Sequence, residues 1–128
     1  MANDPLREEW YKKARQDIAI VRHMQTYNPM PIELICYHCQ QAAEKALKGL
    51  LASKNIDIPI THRLGILLDT LNDGRLSNIE DDCVLLSGYA VTTRYPSPIE
   101  FMEVQLRQGI MALDRILDAI SVIGYPVE

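Results

Sequence analysis

The chain has 128 residues, 48% hydrophobic and 23% charged, with thirteen Lys and Arg against seventeen Asp and Glu for a net charge of −4. That composition argues against disorder, and the acid excess does not fit sequence-independent clamping of duplex nucleic acid, which needs surplus cations. No apolar run approaches the length of a membrane span, and Met1 to Pro5 lacks the basic-then-apolar order of a secretion signal. Three cysteines without framework spacing point to a reducing compartment, the cytoplasm.

A length of 128 residues fits one domain, residues 1–128, able to bury roughly two-thirds of its unfolded surface. Asp4-Pro5 offers a cap followed by a proline suited to a first turn, and Leu6, Trp10, Ala14, Ile18 and Val21 then recur at helical spacing. Tyr27 to Pro31 stops that helix, and Pro31 opens a second that runs out near Ser53 or Lys54. Thr61 caps a short third helix through Leu64, Leu67, Leu68 and Leu71, closed by the turn signal Asn72-Asp73-Gly74. Ser77 and Glu80 make a capping box for a fourth helix carrying Ile79, Cys83, Leu86 and Ala90. Ser97 and Glu100 make another, with Pro98 between them, for a fifth marked by Ile99, Met102, Leu106, Ile110, Leu113, Leu117 and Ile120. No strand alternation interrupts the series. The expected fold is an all-α antiparallel bundle of about five helices.

The second helix is the chemically richest. At about 100° per residue, Ile32, Ile35, Cys39, Ala43, Ala46, Leu47 and Leu50 share one arc. Tyr37, His38, Gln41, Glu44, Lys45 and Lys48 share the opposite one, with His38 and Lys45 within roughly 20° of each other. The polar arc is either solvated surface or the wall of a site. Cys36 and Cys39 fall on the apolar side, where they read as small buried hydrophobes rather than as a redox or zinc pair. No glycine-rich phosphate loop, dinucleotide fingerprint or paired-histidine zinc helix occurs, so neither cofactor nor metal is expected.

Arg94 stands just before the fifth helix, where a guanidinium beside free amides can hold an anion. Pro98 removes one of those donors and Glu100 adds a carboxylate, so a structural arginine is the competing reading. His62 follows the Thr61 cap and either faces the same cleft or is a solvated capping group. The fifth helix also carries Phe101, Val104, Met111 and Ile116 beyond its main stripe, a width that suits a second chain or a broader core.

His38-Cys39-Gln40-Gln41-Ala42-Ala43-Glu44-Lys45 with Leu47-Lys48, Thr61-His62-Arg63-Leu64, and Tyr89 to Arg94-Tyr95-Pro96 together resemble the HEPN domain family over nearly the whole chain. The resemblance implies an all-α bundle that commonly pairs as a homodimer. It also implies nucleotide or RNA binding, and a minimal nucleotidyltransferase as partner, sometimes as toxin and antitoxin. RNA-cutting members carry an arginine followed four to six residues later by a histidine. Arg94 is followed by Tyr95, Pro96, Ser97, Pro98, Ile99 and Glu100, without one. Metal-independent cleavage needs a proton acceptor at the 2′-hydroxyl, and a guanidinium is too basic for that role.

Three readings follow. In the first, a non-catalytic binding module uses Arg94, Lys45 and Lys48 as phosphate contacts and His38, Gln41 and His62 as further nucleotide contacts. In the second, a toxin-type ribonuclease uses a displaced histidine. In the third, a purely structural interaction module leaves the polar arc solvated. The first two require the polar arc to share a hollow with the junction before the fifth helix, in one subunit or between two.

Overall fold

A computed structural model describes residues 4–94 and 101–128, with side chains through residue 92 in the first stretch. The described residues form five helices: α1 (Asp4–Met24), α2 (Ile32–Ser53), α3 (Leu64–Leu71), α4 (Glu80–Arg94) and α5 (Glu103–Val122). Among the described residues there is no strand. α2 is the central post. α1 lies along one side of it, while α3, α4 and α5 pack on the others.

The predicted apolar arc of α2 is the heart of the core, with Ile35, Cys39, Ala43, Ala46, Leu47 and Leu50 all buried. α1 approaches closely because Gly49 presents no side chain: a Cβ there would stand 2.7 Å from two carbons of the Tyr11 ring. Tyr11 is buried in that seam, and its hydroxyl donates to the Tyr125 carbonyl at 2.8 Å. The last residues strap across α1 as Arg15 donates to the Val127 carbonyl and Arg22 grips Glu128 through two bonds of 2.7 and 2.8 Å.

Helix ends follow the punctuation in part. α2 begins directly after Pro31, and Asn72 ends α3 in the left-handed conformation, which asparagine tolerates. The third helix starts differently from the expected Thr61 cap. Thr61 Oγ1 accepts from the Arg63 amide, Arg63 holds the cap position, and the Leu64 amide donates across to Ser87 Oγ of α4 at 2.8 Å. The Ser77–Glu80 capping box is overturned. Asp73 accepts from the Arg75 amide and starts a 3₁₀ segment, Gly74–Ile79, that feeds directly into α4. Asp73 captures the turn because it sits at the start of the first free amides.

α5 starts at Glu103, later than the Ser97–Glu100 box predicts, and that box lies outside the described residues. Gln105 supplies the acceptor instead, taking the Met102 amide at 2.8 Å. Of the four extra apolar positions, Ile116 is core and Phe101 packs edge-on to Tyr89 at 4.9 Å, so both are used within the chain. Val104 and Met111 remain about half exposed.

Candidate functional site

The polar arc of α2 is neither a solvated face nor an open wall. It is divided between two buried carboxylates. On the α1 side, Asp17 enters from a position between the core residues Ala14 and Val21. One of its oxygens lies 2.8 Å from His38 Nδ1 and the other 2.6 Å from Lys45 Nζ. On the α3 side, Glu44, only 5% exposed, meets three donors. They are His62 Nδ1 at 2.9 Å, Gln40 Nε2 at 3.0 Å and Lys48 Nζ at 3.1 Å. Gln40 also donates to the His62 carbonyl, and Gln41 donates to Gln40 Oε1. Lys48 additionally lies over the Trp10 ring.

This geometry assigns both imidazole tautomers. An ionised carboxylate only accepts, so each histidine must carry its proton on Nδ1, leaving Nε2 as the nitrogen turned away from its carboxylate. His38 is largely covered. The His62 side chain is 58% exposed, and both its ring and its carbonyl are pinned, so it is a pre-oriented group rather than a swinging one.

Burial works to raise the Glu44 carboxyl, but the bonds from Gln40, His62 and Lys48 outweigh it and hold the group below the usual carboxylate range. Lys45 and Lys48 each face a carboxylate within the fold, so the cations of the arc are balanced internally. The sequence marks Asp17 only weakly. Its signal was an acid inside the apolar stripe of α1, three residues after Ala14 and four before Val21.

α4 meets α2 on the other arc. Tyr89 shares the buried core with Cys36 and Cys39, and its hydroxyl donates to the Gln105 carbonyl, setting the end of α4 beside the start of α5. His38 and Lys45 therefore face α1, on the opposite side of α2. The segment carrying His62 is tied to α4 two residues further on, by the Leu64–Ser87 bond. Arg94 ends α4, and its side chain lies outside the described residues, as does the whole junction 95–100.

The three thiols are free and buried. Burial pushes Cys36 and Cys83 up to about 12 and Cys39 well above its ordinary value. A thiol that stays protonated is a poor nucleophile. The native protein is therefore expected to resist iodoacetamide at neutral pH and to take up three equivalents after unfolding, as read by intact mass. Rapid native labelling of Cys36 or Cys39 would contradict this.

Comparison with known proteins adds three findings. The sequence model of the HEPN domain matches residues 7–123. The chain is similar to the crystal structure of an archaeal HEPN homologue, with a TM-score of 0.73 and 26% identity over 95% of this chain and 98% of that one. No curated protein matches.

Proposed function

Since the chain belongs to the HEPN family, we propose that it is a single-domain, cytoplasmic and homodimeric HEPN module that binds a nucleotide or RNA phosphate and works beside a minimal nucleotidyltransferase. The observation carrying this reading is His62: a pinned imidazole, with a buried carboxylate behind Nδ1 and an Nε2 turned away from it. Protonated, that nitrogen donates to a phosphate oxygen while Glu44 stabilises the ring's charge. Gln41 adjoins His62 through Gln40, and Lys48, Lys45, His38 and Arg94 are the further groups assigned to the phosphate, with Lys45 and His38 on the α1 side of α2. Three buried thiols suit a reducing compartment. Among the described residues, no helix is long and apolar enough to cross a membrane.

A thermal-shift screen against nucleotides and short RNAs tests the reading. Stabilisation follows RT ln(1 + [L]/Kd), about 2.7 kcal/mol at a hundredfold excess over Kd. The parent is expected to shift, and His62→Ala and Arg94→Ala to shift less. No shift in the parent, or a shift untouched by both substitutions, would sink the site.

One observation favours the interaction-only reading: the arc's lysines already hold carboxylates of the same chain. The toxin-type ribonuclease keeps only a displaced histidine, His62, and requires cleavage of RNA by the parent that His62→Ala abolishes.

A further inference from the structure

An open groove of about 460 Å³ runs between α3 and α4. Ile66, Val84 and Val91 line it, exposed by 40%, 69% and 67%. Gly65 and Gly88 also line it, and a Cβ at either would meet nothing within 4 Å, so the chain leaves this space unfilled. Scattered apolar side chains are ordinary on a surface, but three lining one groove form a patch that favours coverage.

The charges bordering the patch narrow the occupant. Arg63 caps the start of α3 and Asp69 lies near its end, six residues and about 9 Å apart along the axis. Among the described residues neither makes an ion pair, a state Arg63 shares with Arg107, whereas Arg7, Arg15, Arg22, Arg75 and Arg115 are each held by a carboxylate. A positive end and a negative end flanking an apolar middle form a self-complementary pattern. A two-fold rotation sets each Arg63 against the other copy's Asp69 while the apolar middles meet.

We propose that the α3–α4 groove is the face through which two copies pair, in antiparallel register fixed by two Arg63–Asp69 contacts between subunits. This rests on the dimeric reading above and extends it by naming the face and its register. The pattern also selects against a parallel arrangement, which would oppose like charges.

The test uses light scattering on the intact chain. The parent should elute as a dimer, and Arg63→Glu and Asp69→Arg should each lose the dimer peak. An equimolar mixture of the two variants should regain it, because the mixed pair restores both opposite-charge contacts. The double variant Arg63→Glu/Asp69→Arg should pair with itself. Rescue by mixing cannot come from two misfolded chains. Single variants that stay dimeric, a mixture that stays monomeric, or dissociation by Met111→Lys on α5 instead would overturn this face while leaving dimerisation intact. A monomeric parent would overturn both.

Discussion

Replacing Glu44 with leucine is expected to cost about 3–5 kcal/mol of stability, the usual consequence of removing one partner from a buried ion pair. Lys48 would be left largely buried with no carboxylate, and Gln40 and His62 would each lose an acceptor. The stranded ammonium is the main cause. The double variant Glu44→Leu/Lys48→Met should therefore recover a large part of the loss, since no unpaired charge then remains inside. Urea unfolding of the three proteins measures both steps. A single variant within 1 kcal/mol of the parent would show that Lys48 reaches water as readily in the fold as outside it.

The same carboxylate sets an acid limb. Its folded value lies below the unfolded one, so its contribution is fully present above about pH 4.3 and fades as pH falls through the lower folded value. The parent should lose stability over that acid range. Glu44→Gln, which cannot ionise, should start lower at neutral pH and lose less. Parallel pH profiles for the two proteins would remove Glu44 from the acid response.

Gly49→Val is expected to destabilise by about 3 kcal/mol, near the top of the range for overpacking. Glycine normally weakens a helix interior, so filling this position would raise α2's propensity. Packing reverses the sign. A Cβ at residue 49 falls 2.7 Å from the Tyr11 ring and 3.1 Å from Trp10 Cβ, and Tyr11 cannot swing aside without giving up its bond to the Tyr125 carbonyl. The seam between α1 and α2 must open instead. Gly49→Ala should move the same way by less, and a stabilised alanine variant, measured by the same urea unfolding, would show the seam to be loose.

Local chemistry makes much of this legible from the residues alone. Pro31 and Asn72 mark helix limits because a fixed φ, a missing amide or a tolerated left-handed turn acts within one or two residues. The start of α4 differs from the Ser77–Glu80 box because two acceptors compete there, whereas the Ser97–Glu100 box lies outside the described residues. Ser77 lost to Asp73, and Gln105 supplies the acceptor at the observed start of α5. The apolar width of α5 was visible too, but not that Ile116 turns into the core while Met111 faces out.

The family, the all-α bundle and the two-faced character of α2 were determined by the amino-acid order, since a 3.6-residue period dictates which side chains share a face whatever lies opposite. What the polar face meets was not. Asp17 and His38 are 21 residues apart, and Glu44 and His62 are 18 apart, so no helical period relates either pair. Only the packing of α1 and of the segment before α3 against α2 brings them together. Burial then requires each carboxylate to find donors, and that is how a row of amides, imidazoles and amines became two closed polar clusters.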